Sequence, residues 1–484
     1  MIFKREAVAG FEWNGLSTLV TSAFQFIQVA ALSVFLSPTS FGIMAMAMVV
    51  IGFAQAFNDI GVSNAIIQRR DTTIENLSSL YWLQVVLGII LFFTMILITP
   101  LAVQFFREPA LSGVMTLTSL TFLVTPLGLI FQILMQKNLE FKRLALVDMS
   151  SSFISLVVAV SAAYLGFGVM ALVWGQLTFY GIRSIQFFIV GWRRWRLKLH
   201  FRWSDLKGFL SFGLYQIGER SVTFFSINVL NLIIGRFLGA NMLGLYSMAY
   251  QLIITPILKI STVIITVSFP IFSRFQNVNA LLKEGYLYIS RFISFTICPI
   301  LLTVIVTAPV FVPILLGPKW IAVIPLIQIL SIEAIIKSLV ITSVPTYLAK
   351  GGAEFGFKWN LLVAIMNSIT FYLIAGYGII TLAWAFVCLS FIQYIFLQVI
   401  MDTLIELKWT DYAKTLITQF LISLTMALIV FLAYVNAKNM GGIELLVFLV
   451  AMGFVSYALL NLIFNNDYLI ELKRLILKME YYEP

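Results

Sequence analysis

The chain has 484 residues, of which 61% are hydrophobic and 11% charged, with a formal net charge of +10. Soluble domains are about a quarter charged, so the composition excludes a soluble protein. A single histidine and two cysteines exclude a His-based metal cluster and a disulfide framework, and leave almost no room for a Ser-His-Asp triad.

Apolar runs of about twenty residues or more recur along the whole length, each able to cross a hydrocarbon core of about 30 Å as a helix. The reading is an all-α polytopic membrane protein, since the short alternating segments of a barrel do not occur. The first run, 11–36, follows Lys4 and Arg5. It carries Gln25 and Gln28 and exceeds a signal-peptide core, so it reads as a retained helix. Further spans are predicted at 41–66, 78–105, 111–136, 144–165 and 168–190. The stretch "GWRRWRLKLHFRW" (191–203) intervenes, and then come 208–236, 241–268, 286–315, 321–349, 355–376, 379–400, 412–435 and 441–464, about fourteen spans in all. No connection is long enough for a separate soluble domain. Cys298 and Cys388 fall inside apolar runs and read as buried small apolar residues.

Cations fix the orientation. The N-terminus, the loops after even-numbered spans (Arg69 and Arg70; Lys142 and Arg143) and the tail (Lys473 and Arg474) hold most of the Lys and Arg, against Arg107, Arg236, Lys319 and Lys438 on the other side. The positive-inside rule then puts both termini in the cytoplasm. In 191–203, Arg193, Arg194, Arg196, Lys198 and Arg202 hold the link inside while Trp192, Trp195 and Trp203 suit the headgroup layer. An extended link from Arg196 to Trp203 would put cations on one side and apolar groups on the other. Basic residues among aromatics also mark nucleic-acid surfaces, but the membrane composition excludes nucleic acid as a partner. Attraction of an anionic cargo to the cytoplasmic mouth is a secondary role for this hinge.

A shift of 202 residues aligns "LSPTSFGIMAMA" (36–47) with "LGANMLGLYSMA" (238–249), matching Leu36, Gly42, Met46 and Ala47 with Leu238, Gly244, Met248 and Ala249. The same shift superposes span 1 on span 7 in one orientation, as parallel repeats of six helices require. The expected organisation is a bundle at 1–190, a basic–aromatic cytoplasmic linker at 191–207, a second bundle at 208–400, and an added helix pair with a cytoplasmic tail at 401–484. Polar residues recur on one face of span 1 (Asn14, Thr18, Thr21, Gln25, Gln28) and of span 7 (Gln216, Arg220, Thr223, Asn231), and the first three of each set align under the shift. Such faces turn toward protein or water, and the repeat favours a hydrated cavity between the two bundles.

Charges within the spans are Glu12, Asp59, Asp148, Arg183, Glu219, Arg220, Lys259, Glu333 and Lys337. Each needs a partner, water or a route to the surface. Glu12, Asp148 and Arg183 lie near helix ends and read as structural. Arg220, Lys259 and Lys337 lie deeper and are the candidate cationic wall for an anionic headgroup. Asp59, Glu219 and Glu333 are the candidate carriers of a proton or sodium ion; self-pairing of Glu333 with Lys337 is the plainer account.

The segments "FEWNGLSTLV", "SFGIMAMAMVVIGFAQAFNDIGVSNAIIQRR", "LGLYSMAYQLI", "SFPIFSR" and "LLGPKWIAVIPLIQIL" resemble the Wzx-type polysaccharide flippases (the O-antigen, colanic-acid and teichuronic-acid kind) of the multidrug/oligosaccharidyl-lipid/polysaccharide exporter superfamily. The resemblance runs over roughly 5–465. It implies two six-helix bundles working by alternating access as a monomer in the bacterial inner membrane. It implies an undecaprenyl-pyrophosphate-linked oligosaccharide as cargo, flipped to the periplasmic leaflet, and no cofactor beyond H+ or Na+ coupling. Membrane lipids and the polysaccharide polymerase machinery are the implied surroundings. Family members often have twelve helices; related lipid II flippases have an extra pair that grooves the lipid tail. The alternatives are an ion-coupled small-molecule exporter of the same superfamily, whose cationic drugs a cationic cavity would repel, and a membrane-embedded polymerase or glycosyltransferase. Against the second, the outer loops are a handful of residues and offer mainly Glu108 and Glu444.

Overall fold

The computed structural model describes residues 2–55, 57–58, 63, 66–67, 72–206, 210–437 and 440–470, with side chains from residue 10 onward except at 11, 207–220 and 222–223. No strand occurs among the described residues, as expected where every backbone group must be satisfied within its own segment. The chain divides into two compact units, Met1–Ser247 and Met248–Pro484.

The first unit contains α1 (Ile2–Phe35), α2 (Pro38–Gln55), α3 (Ile74–Phe106), α4 (Leu111–Thr118), α5 (Thr121–Lys137), α6 (Phe141–Tyr164) and α7 (Met170–Trp195), and the first part of α8 (Leu210–Arg274). α6 packs against α1 and α7, and α5 against α7 and α3. Small residues permit the close α5–α7 approach: a Cβ on Gly128 would lie 2.7 Å from Ser184 Cα, and the Ser184 hydroxyl donates to the Val124 carbonyl at 2.5 Å. Arg183 Nε donates to Asp148 Oδ1 at 2.6 Å, tying α7 to α6, with the guanidinium 5.5 Å from the Phe187 ring centroid.

The second unit holds the rest of α8, then α9 (Asn279–Leu315), α10 (Ile324–Val340), α11 (Ser343–Ala349), α12 (Ala353–Ile374), α13 (Ile379–Ile405), α14 (Trp409–Asn436) and α15 (Gly442–Phe464). α9 is its hub, packing against α10, α14 and α15. Val310, Val430, Leu445 and Leu449 form the apolar part of that contact. A polar chain completes it: Arg291 donates to Asn465 Oδ1 at 2.9 Å, Asn465 to Gln419 Oε1 at 2.9 Å, Gln419 to the Tyr457 hydroxyl, and Tyr457 to the Phe295 carbonyl at 2.6 Å.

Twelve segments of the described chain are long and apolar enough to cross a membrane. Two differences separate that set from the sequence count. The 26-residue α7 is long enough, but Gln176, Arg183 and Gln186 among its residues keep it outside the set. α8 enters as one segment, although Gly239 breaks it with φ 81°, a left-handed value that glycine alone adopts without strain. Cys298 is buried, whereas Cys388 is exposed on α13, correcting the expectation for that thiol.

Residues 191–206 belong to the first unit. α7 continues to Trp195 and stops at a left-handed Arg196 (φ 37°). The chain then crosses the start of α3. The Ser78 hydroxyl accepts from Lys198 N at 3.0 Å and the Ser79 hydroxyl from Arg202 N at 3.1 Å. Trp82 Nε1 donates to the Lys198 carbonyl at 3.2 Å. Asp205 accepts from Ser79 at 2.8 Å and lies 2.9 Å from His200 Nε2. Its carboxyl is held below the ordinary aspartate value, first by the Ser79 hydroxyl and then by His200. Leu197 and Leu206 insert into the core of Tyr81, Phe131 and Phe187. The simple alternation of an extended link does not occur: Leu197 is buried and Leu199 is 91% exposed.

The repeat-related turns meet each other. Thr39 and Asn241, related by the shift of 202, share a hydrogen bond at 3.3 Å. A Cβ on Gly42 would lie 1.7 Å from the Ala240 carbonyl oxygen, and one on Gly244 would lie 1.8 Å from that of Pro38. The shift maps one clash onto the other, so neither turn has room for any side chain at its glycine.

Candidate functional site

Among the described residues, the most deeply buried charge lies in the second unit. Glu333 on α10 is fully buried. Ser390 of α13 donates to its Oε1 at 2.8 Å, and Lys337 Nζ lies 3.5 Å from the same oxygen. Oε2 is buried with no hydrogen-bond partner. The Lys337 ammonium lies 4.5 Å from the Phe386 ring centroid and 5.8 Å from that of Tyr250. The lysine is therefore held by one carboxylate oxygen and aromatic faces, with its side chain 30% exposed. Helical spacing makes the Glu333–Lys337 pairing legible in the sequence. Ser390, 57 residues away, has no such signal.

Of the other two candidate cations, Lys259 is half-buried on α8, and the side chain of Arg220 lies outside the described residues. The same holds for the side chains of Gln216, Glu219 and Thr223, and Asp59 lies outside altogether. On α1, Asn14, Thr18 and Gln25 are exposed, Thr21 and Gln28 half-buried. Thr18 and Thr21 donate to the carbonyls of Asn14 and Ser17 at 2.8 and 2.7 Å, so their hydroxyls are satisfied within the helix. Gln28 turns toward α7, where a Cβ on Gly175 would lie 3.0 Å from its amide nitrogen. Asn231 on α8 is half-buried and donates to Asn228 Oδ1 at 3.2 Å. No group of three or more His, Cys, Asp or Glu suited to a metal occurs among the described residues.

An all-helical, multi-pass membrane protein with a buried carboxylate–lysine pair and a polar face left uncovered on its first helix is the class these features define. A family model described as "Polysaccharide biosynthesis protein" matches residues 31–325, more than half of the chain, and the chain belongs to this family. It is 28% identical over 428 residues to the teichuronic acid biosynthesis protein TuaB of Bacillus subtilis (strain 168), covering 88% of this chain and 89% of that one. It is 28% identical over 361 residues to the lipopolysaccharide biosynthesis protein WzxC of Escherichia coli (strain K12), covering 75% and 73%. Its fold is shared with the lipid II flippase MurJ in an inward closed conformation (TM-score 0.76, 14% identity, 94% of this chain and 99% of that one). A multidrug resistance MATE family transporter of the MOP superfamily, inward-facing, also shares it (TM-score 0.56, 17% identity, 79% and 95%).

Proposed function

We propose that this protein is a carrier that flips an undecaprenyl-pyrophosphate-linked oligosaccharide from the cytoplasmic to the periplasmic leaflet of a bacterial inner membrane, in surface polysaccharide biosynthesis. The observation that carries this reading is that a member of a polysaccharide biosynthesis family has the fold of a lipid flippase over 94% of its length.

The chemistry of the chain supports it. Asn14 and Thr18 are exposed on α1, and an amide such as that of Asn14 facing hydrocarbon would cost several kcal/mol. Such a face belongs on a hydrated path wide enough for sugars. Lys337, with Lys259 and Arg220, supplies the charge that receives the pyrophosphate. Glu333 then takes a proton when the anion draws Lys337 away, because Ser390 alone does not balance a buried carboxylate. Asp59 and Glu219 are further candidates for this coupling. An apolar cavity of about 560 Å³, lined by residues that include Cys298, Leu302, Ile335, Phe391 and Phe420, suits the lipid tail. In this reading the chain crosses the membrane fourteen times, with both termini cytoplasmic, as two six-helix repeats and an added pair, and acts as a monomer beside the polymerase machinery.

Leaflet-resolved flipping of purified lipid-linked oligosaccharide in proteoliposomes tests the proposal, with and without imposed H+ and Na+ gradients. Transport well above protein-free vesicles is expected, and a rate equal to theirs overturns the reading. Arg220→Ala is expected to slow flipping with unchanged protein in the membrane.

A further inference from the structure

A second cluster of cations surrounds a cavity that the transport reading does not use. The cavity, about 500 Å³, lies in the first unit between the start of α1 and the start of α6, and its walls include Trp13, Glu140, Lys142, Arg143 and Arg194. Gly10 permits it: a Cβ there would lie 2.6 Å from the Phe141 ring.

The charges run against the helix. An α-helix carries about half a positive charge at its N-terminus and is stabilised there by acidic residues. The first turn of α6 contains no acidic residue, and Glu140 in the N-cap position makes no side-chain cap. The first turn holds Lys142 and Arg143 instead, and Arg194 reaches in from the end of α7. Glu140 is the one carboxylate among the described lining residues. Arg143 Nη1 meets its Oε2 at 2.6 Å, and Arg194 Nη1 meets its Oε1. Among the described lining residues, three cations against one carboxylate leave two positive charges beside the positive end of a helix dipole.

The positive-inside rule requires cations on this face of the membrane. It does not require three of them to converge on one cavity at a helix N-terminus, where they repel both the dipole and one another. That arrangement is stabilised by an anion. Each guanidinium carries five N–H donors, and Glu140 meets a single nitrogen of each. Both side chains are about half exposed (56% and 48%), so a ligand from the membrane surface can reach them. Lys142 Nζ lies 5.5 Å from the Trp13 ring centroid, held at the cavity wall by the ring face.

We propose that this cavity is a phosphoryl-anion site that takes a phosphate or diphosphate ester. Arg143 and Arg194 grip its oxygens as planar forks, Lys142 adds a point charge, and Glu140 is the internal competitor that the ligand displaces. In the transport cycle it is the loading site, where a diphosphate headgroup docks from the cytoplasmic leaflet before it moves inward. The loading role rests on the flippase reading; the anion chemistry does not.

The test uses the full-length protein in phosphatidylcholine nanodiscs, with binding read by native mass spectrometry. Three probes separate the sources of the same chemistry: a polyprenyl diphosphate in the disc, phosphatidylglycerol in the disc, and inorganic pyrophosphate in solution. The probe that binds most tightly names the source. Lys142→Gln/Arg143→Gln/Arg194→Gln is expected to weaken that binding at least tenfold. Lys358→Gln/Lys408→Gln/Lys414→Gln removes the same charge from exposed positions of the second unit and is expected to stay within twofold of the parent. Glu140→Gln frees both guanidiniums and is expected to tighten binding about threefold, a gain that misfolding cannot produce. Equal affinity in the two triple variants, no gain in Glu140→Gln, or no binding of any probe by the parent overturns the site. Flipping measured in parallel keeps the two ideas apart. A parent that binds but does not flip overturns the transport reading alone. Normal flipping by the cavity triple variant, with binding lost, overturns the loading role alone.

Discussion

Among the ion pairs of the described residues, Asp148–Arg183 and Glu333–Lys337 are built differently. Asp148 and Arg183 join two helices at 2.6 Å, with the guanidinium over aromatic rings. Glu333 and Lys337 lie on one helix at 3.5 Å, and the second carboxylate oxygen has no hydrogen-bond partner. A short pair that staples separate elements does its work by staying closed. A loose pair whose carboxylate is fully buried is poorly satisfied, and such a group persists where another state of the protein satisfies it better. Geometry thus separates a closed fastening from a loose pair, although both read from sequence as a charge within a span.

The largest contrast is expected when each pair is replaced whole. Glu333→Gln/Lys337→Met should cut flipping at least tenfold while leaving the melting temperature near the parent's, because apolar or neutral replacement of a buried pair is often no less stable. Asp148→Asn/Arg183→Met should transport within twofold of the parent; equal transport losses in the two double variants would erase the distinction. Breaking only one side of the fastening comes next. Asp148→Ala strands the arginine and is expected to cost about 2 kcal/mol, below the range for fully buried pairs because both groups are partly exposed; thermal unfolding in nanodiscs measures it. Phe386→Leu removes a ring from the Lys337 ammonium and is expected to weaken cargo affinity about threefold, corresponding to ~0.6 kcal/mol.

The smallest effect concerns Asp205, a carboxylate whose partners are all present. Its value in the fold is lowered by Ser79 and His200, so its contribution is complete above the ordinary aspartate range. That contribution is lost as pH falls through the lowered value. The hydrogen-exchange protection factors across 197–206, which are corrected for the intrinsic pH dependence of exchange, should therefore stay flat near neutral pH and fall in acid. Asp205→Asn should show faster exchange at neutral pH and a weaker acid response.

The class of fold was legible because hydrocarbon imposes so simple a rule on composition. The alignment of Leu36–Ala47 with Leu238–Ala249 could not reveal that the two turns touch through Gly42 and Gly244. Pairings within one helix turn, such as Glu333 with Lys337, follow from spacing. Asp148 with Arg183, 35 residues apart, and Glu333 with Ser390 do not, because they depend on which helices become neighbours. The charges and tryptophans around Arg196 suggest a membrane-surface segment and say nothing of its attachment to Ser78 and Ser79, since serine in an apolar span ordinarily signals only a hydroxyl bonded back to its own helix.

That attachment bears on how the protein is made. Leu197 and Leu206 are part of the first unit's core, and Asp205 ties down the start of α3. A ribosome that has finished α7 has not yet supplied the residues that seal this face. The nascent first half lacks the side chains that close this face until the chain has emerged past Leu206.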